Sequence, residues 1–200
     1  QLLTKSIRPM PVPKIEVKDG EKIVHDELRN KEFRYRHRYV DLTLNPEVAK
    51  VFWQRNLMMQ TIRNYLTEQG FLEVETPTLQ AIYGGANATP FTTHHKALDQ
   101  NFFLRIANEL YLKRLIAGGF DAVFEFTKNF RNEGIDRTHN PEFSALEFYQ
   151  ANVDYSKMME HTEQIFSRCS QALHGTMKFD YEGQEIDVSP PWKRMTMYEA

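Results

Sequence analysis

The chain reads as an α+β protein, an antiparallel sheet flanked by helices, and three observations lead there. Residues 122–130 and 141–153 alternate in polarity and are joined by a polar connection, the pattern of an antiparallel hairpin. Two long segments, 46–69 and 154–174, carry apolar residues at helical spacing. Strands that pair antiparallel around helices of this length argue against a doubly wound parallel sheet.

Composition narrows the class. The chain has 200 residues, with 25 Lys and Arg against 27 Asp and Glu, a formal charge of −2. That balance excludes a globally basic nucleic-acid scavenger and an acidic solvating tail. An apolar fraction of 41% is enough for a sizeable core. The single cysteine, Cys169, excludes an intrachain disulfide and a cysteine zinc cluster, and points to a reducing compartment. No apolar run approaches 20 residues and no apolar secretory core opens the chain. A cytoplasmic chain with no membrane segment is expected.

Residues 1–28 hold Pro9, Pro11, Pro13 and the turn Lys18-Asp19-Gly20, and read as an extended linker. Arg29, Lys31, Arg34, Arg36 and Arg38 then interleave with Phe33, Tyr35 and Tyr39. Such a segment can hold a nucleic-acid backbone. The alternative is a short helix whose aromatics dock on the core while its arginines stay solvated. The helix 46–69 starts on Asn45 and Pro46 and ends at Gly70. Its apolar stripe is wider than one buried face needs, since Phe52-Trp53 and Met58-Met59 spill around it, and a second partner is expected there.

Residues 71–75 alternate as a strand that Thr76-Pro77 ends. A small-residue loop, 81–90, contains Gly84 and Gly85, where backbone can approach a ligand closely. His94-His95 point to opposite faces of an extended segment and have no second ligand cluster, so no metal site is expected. Residues 104–118 read as a strand end entering a helix that Gly118-Gly119 stops. After the hairpin, Asp154 caps a helix that runs to Gly175, and 177–188 is a hairpin turning at Glu182-Gly183. Residues 195–200 have the look of a helix beginning.

The hairpin at 122–153 is the chemically dense part. Phe143, Glu147 and Tyr149 share a parity and so line one strand face. A carboxylate on such a face needs a partner. Arg131 is the nearest cation, and two readings follow: a cross-strand Arg131–Glu147 pair, or separate sites. In the second, Arg131 is a fork for phosphate or carboxylate while Glu147 and Tyr149 receive a cation. Glu133, Arg137 and His139 at the connection suit a nucleotide with several phosphates. No P-loop or Rossmann glycine pattern is present, and no serine elbow or exposed cysteine offers a nucleophile. The residues therefore point to a nucleotide together with a cationic small molecule.

Phe130-Arg131-Asn132-Glu133 followed by His139-Asn140-Pro141-Glu142-Phe143 resembles motif 2 of the class II aminoacyl-tRNA synthetases. The helix 46–69 followed by Gly70-Phe71-Leu72-Glu73-Val74-Glu75-Thr76-Pro77 resembles their motif 1. Arg34-Tyr35-Arg36-His37-Arg38-Tyr39-Val40-Asp41-Leu42, Gly84-Gly85-Ala86, Arg105-Ile106-Ala107, Glu109-Leu110-Tyr111-Leu112-Lys113-Arg114 and Leu146-Glu147-Phe148-Tyr149 are similar to the lysyl branch. The likeness runs unbroken from about residue 29.

The resemblance implies a domain plan and roles. Residues 1–28 would be the end of an OB-type anticodon-binding domain and its linker, and 29–200 the N-terminal portion of a catalytic domain. Motif 3 and the Mg²⁺ ligands would lie outside the chain, so this stretch alone would be inactive. Arg131 would contact the α-phosphate of ATP and the lysine carboxylate, as the catalytic residue. Glu133, His139, Asn140 and Phe143 would complete the ATP site. Gly85 and Glu109 would receive the α-ammonium of L-lysine, and Glu147 and Tyr149 its ε-ammonium. No metal ligand is expected within the chain. The partners implied are L-lysine, ATP, tRNA(Lys) and a second copy joined through the helix 46–69. Asn108 stands where the family commonly has proline, and would loosen the backbone before Glu109. The Glu147/Tyr149 pocket argues against an aspartyl- or asparaginyl-type relative, because an acidic substrate would be repelled there. A lysine ligase acting on a translation factor, built on the same domain, and a non-catalytic dimerising paralogue remain as alternatives.

Overall fold

A computed structural model describes residues 14–18, 21–25 and 29–199. The chain falls into two compact units, Gln1–Met58 and Met59–Ala200. The expected division at 28/29 and most of the proline-rich segment fall outside the described residues.

In the first unit β1 (Lys14–Lys18) and β2 (Glu21–His25) pair antiparallel, so this part of the expected linker is paired strand. Two short helices follow, α1 (Lys31–Arg36) and α2 (Arg38–Leu44). They are pinned by Asp41, which is fully buried and accepts from Arg34, Arg38 and Asn45, each at 2.8 Å. Neither reading of this basic-aromatic segment describes the helices fully. Arg34 and Arg38 are drawn inward by the buried carboxylate, while Tyr35 and Tyr39 are 67% and 70% exposed. Phe33 stacks on His37, Tyr39 meets the same imidazole edge-on, and the Arg38 guanidinium lies over the Tyr35 ring. A buried carboxylate demands its cations more strongly than an exposed tyrosine demands a core.

The helix α3 (Pro46–Glu68) matches the expected span to one residue. Its C-terminal part buries Ile62, Tyr65 and Leu66, and Gly70 turns the chain with φ of 85°. Its N-terminal part keeps Val51, Phe52, Trp53 and Leu57 exposed.

The second unit is built on a three-stranded sheet with β7 (Ala122–Phe130) in the middle. Antiparallel β8 (Glu142–Gln150) lies on one side of it. On the other side is β3 (Leu72–Glu73), shorter than the alternation predicts and parallel to β7. Glu75 and Thr76 leave the ladder because the Thr76 N–H and hydroxyl turn to a side chain, Glu125, at 3.1 and 2.7 Å. A second sheet orders β4 (Leu79–Gln80), β6 (Gln100–Leu104) and β5 (Thr92–His95), all antiparallel. The helix α4 (Glu109–Ala117) packs on β7 and β8.

The core closes around Leu66, Ile106, Leu112, Val123 and Phe124, all fully buried. Each such side chain contributes about 1.5–3 kcal/mol of burial free energy. The helix α5 (Tyr155–His174) is capped by Asp154, which accepts from the Ser156 and Lys157 N–H groups, and ends on Gly175 in the left-handed region. It delivers His161 into the core between Tyr65 and Gln150. The hairpin β9 (Lys178–Tyr181) and β10 (Gln184–Asp187) turns at Glu182-Gly183, with φ of 52° and 82°. Residues 197–199 form a turn, which Glu199 closes by accepting from the Thr196 N–H and hydroxyl.

Candidate active site

Strand register decides what the dense hairpin can do. The β7–β8 ladder sets Glu125 opposite Glu147, Asn129 opposite Phe143 and Val123 opposite Tyr149. Paired residues share a face, so Glu125, Asn129, Phe143, Glu147 and Tyr149 form one surface. The cross-strand Arg131–Glu147 pair is excluded. Arg131 lies one residue beyond β7, where its N–H donates to Pro141 O at 2.9 Å. It is six residues from the position opposite Glu147, roughly 20 Å along the strand. Its guanidinium sits 5.1 Å from the centre of the Phe143 ring, and Nε donates to Ile106 O at 3.4 Å. Arg131 and Phe143 are thus brought together at one end of the surface.

Glu147 and Tyr149 mark the other end. The Tyr149 hydroxyl donates to Glu147 Oε2 at 3.1 Å. Among the described residues no Lys, Arg or His pairs with Glu147. Burial pushes its carboxyl up from the ordinary carboxylate range; Glu109 and Glu125 add to this, and Tyr149 and the Asn108 N–H oppose it. Burial, then the Glu147 charge, likewise raises the Tyr149 phenol. Glu109 opens α4 beside this pair and bonds Lys113 Nζ at 2.6 Å. A Cβ added to Gly85, at φ of 88°, would stand 3.1 Å from the Glu109 Cβ, so glycine is required for the loop to pass this close. Gly85, Glu109, Glu147 and Tyr149 therefore belong to one locality.

The remaining site residues sit in the β7–β8 connection. Glu133 accepts from the Thr89 N–H at 3.1 Å, and Asn132 N–H donates to Thr89 O at 2.8 Å, tying the connection to the 81–90 loop. His139 is held by Asp136, whose carboxylate accepts from its ring at 2.8 Å and from the Thr138 and His139 N–H groups. These bonds, that of the Thr138 N–H foremost, lower the Asp136 pKa to about 2. Asn140 is exposed in the same connection.

A buried polar network beneath this surface is not apparent from the motifs. Glu125 accepts from Thr76 twice, from Arg105 at 2.9 Å and from Asn108 Nδ2 at 2.9 Å. Arg105 also donates to the carbonyls of Lys128 and Thr76. Asn108, expected to loosen the backbone, is instead fully buried and anchored. The available signal was a glutamate and an asparagine on the same parity inside a phenylalanine-rich strand. Among the described residues no three His, Cys, Asp or Glu side chains cluster so as to hold a metal ion.

A fold with an antiparallel β-pair carrying this arginine and these carboxylates defines the class. Residues 30–200 match the tRNA synthetases class II (D, K and N), and the chain belongs to that family. Similar proteins include three that bear the name lysine–tRNA ligase. The one from Christiangramia forsetii is 53% identical over 199 residues, 100% of this chain and 34% of that protein. Its counterpart from Porphyromonas gingivalis is 54% identical over 198 residues, 99% of this chain and 34% of that protein. That of Pelotomaculum thermopropionicum is 53% identical over 200 residues, 100% of this chain and 37% of that protein. The chain spans about a third of the length of the first two relatives.

Proposed function

We propose that this chain is part of a lysine–tRNA ligase, which activates L-lysine with ATP to lysyl-adenylate and transfers lysine to tRNA(Lys). The observation that carries the reading is the pairing of two unlike carboxylates on one surface. Glu125 is saturated by four protein donors, whereas Glu147 keeps acceptor capacity and, among the described residues, has no protein cation. A half-buried carboxylate in that condition selects a cationic guest, because a neutral side chain would leave its charge unpaired.

Arg131 offers a fork for a carboxylate and Glu147 an acceptor for an ammonium. Lysine would present its carboxylate toward the first and its side-chain ammonium to the second, with Glu109 and Gly85 beside its α-ammonium. At the far end Arg131 would hold both the lysine carboxylate and the α-phosphate of ATP, and Phe143 would stack on adenine with Glu133 and Asn140 at its polar edge. His139 would reach the outer phosphates. A lysine carboxylate oxygen attacks the α-phosphorus, the bond to the β-phosphate breaks, and pyrophosphate leaves. No protein nucleophile is needed. The gain comes from alignment and charge neutralisation.

Mg²⁺ would be held by residues outside this chain. The exposed apolar side chains of α3 support a homodimer formed through this helix, and tRNA(Lys) is the second substrate. Among the described residues no helix is long and apolar enough to cross a membrane. We place the enzyme in the cytoplasm. Lysine-dependent ATP–pyrophosphate exchange by a chain of the relatives' full length tests the assignment. Exchange that responds to aspartate and not to lysine would overturn it.

A further inference from the structure

Asn108 stands directly before Glu109 at the start of α4, and its side-chain Nδ2 donates to Glu125 Oε2 at 2.9 Å. It is fully buried, and its own Oδ1 has no hydrogen-bond partner among the described residues. An unpaired buried acceptor costs about 1–3 kcal/mol, which packing or helix formation at this point does not require. Asn108 does not serve α4 as a side-chain cap either, since no cap hydrogen bond forms.

The register makes the need plain. Directly opposed residues of an antiparallel pair have side chains only about 5 Å apart at Cβ, and like charges there repel. Arg105 answers for Glu125 Oε1. The other oxygen, Oε2, is shared between the Thr76 hydroxyl and Asn108. We propose that Asn108 is a positioning residue for substrate selection: its side chain holds the Glu125 carboxylate back, so that Glu147 is left to meet the incoming ammonium. The inference rests on the assignment of Glu147 to the lysine side chain.

The groups that face Glu147 set the pH response. Tyr149 lies on its own strand, Glu125 with its partner Arg105 on the β7 side, and Glu109 on α4. With Asn108 removed, the Glu125 charge is less fully compensated, and Glu147 ionises less readily. The pH below which lysine binds poorly then moves upward.

The test compares Asn108→Ala with the parent in a chain of the relatives' full length, by lysine-dependent pyrophosphate exchange between pH 5.5 and 8.5. A parent without lysine-dependent exchange refutes the underlying assignment, separately from the role of Asn108. With an active parent, the Ala variant should raise the lysine KM about tenfold, the loss of one hydrogen bond to a charged group. The ATP KM should stay within twofold, and the acidic limb of the lysine KM should shift upward. Asn108→Asp is isosteric, so it keeps the shape if Ala does not fold, and should weaken lysine further by adding a fourth carboxylate to Glu109, Glu125 and Glu147. A lysine KM within twofold of the parent in both variants overturns the proposal. So does a parallel rise in the KM of lysine and ATP, which marks a merely structural residue.

Discussion

Glu125 and Glu147 face each other across the β7–β8 ladder, yet the protein treats them oppositely. One is closed off by Thr76, Arg105 and Asn108; among the described residues the other is left with a single side-chain donor, Tyr149. Burial raises the Glu147 carboxyl, so its charge destabilises the free protein at neutral pH and is stabilised by a bound cation. Glu147→Gln should raise the lysine KM roughly tenfold to a hundredfold. The ATP KM should stay within twofold and the thermal midpoint should not fall. In the parent, lysine affinity should weaken as pH falls through the raised Glu147 pKa, and this limb should vanish in the variant.

Arg131 is held by a carbonyl and an aromatic face, and by no carboxylate among the described residues, so its fork is available. Arg131→Ala should slow exchange on the order of a hundredfold to a thousandfold, the usual cost of removing a donor to developing charge. Arg131→Lys should recover little, because a point charge cannot grip two oxygens side by side. Steady-state exchange on both variants checks this.

The Arg105–Glu125 pair is buried on both sides, at 6% and 3% side-chain exposure. Glu125→Ala strands the guanidinium and should cost about 3–5 kcal/mol of stability, read by urea denaturation. Arg105→Met combined with Glu125→Leu should recover only part of this, because the carbonyls of Lys128 and Thr76 lose their donor as well.

His161 is buried with both ring nitrogens engaged by Tyr65 and Gln150, and burial, then the Lys157 charge, lowers its pKa below the ordinary 6.5. The folded state therefore prefers the neutral ring. Stability is full above the unfolded pKa and falls as pH drops below about 6.5 toward the depressed folded value. Urea midpoints between pH 7.5 and 5.5 should decline, and His161→Gln should flatten that slope.

Trp53 is 73% exposed on α3, beside exposed Val51 and Phe52. If this face joins two copies, Trp53→Glu should convert a dimer to a monomer in sedimentation at micromolar concentration, while the helical signal of circular dichroism persists.

Local chemistry made much of the fold legible. Asp154 and Gly175 announce both ends of α5, Pro46 and Gly70 bracket α3, and Glu182-Gly183 turns the last hairpin. Parity alone placed Phe143, Glu147 and Tyr149 on one face. What parity cannot supply is register, and only register shows that Glu147 meets Glu125 and not Arg131. The parallel run of β3 beside β7 and the buried appetite of Asp41 for Arg34 and Arg38 are equally non-local. Residues separated by tens of positions decide them, and no short window contains both partners.

Thr89 donates to Glu133 and accepts from Asn132, so the loop that carries Gly85 and the connection that carries Glu133 share one residue. Under the proposed function, ordering of the connection by a nucleotide would bear on the loop beside the amino acid through this one threonine, and any such coupling would act equally in the reverse direction.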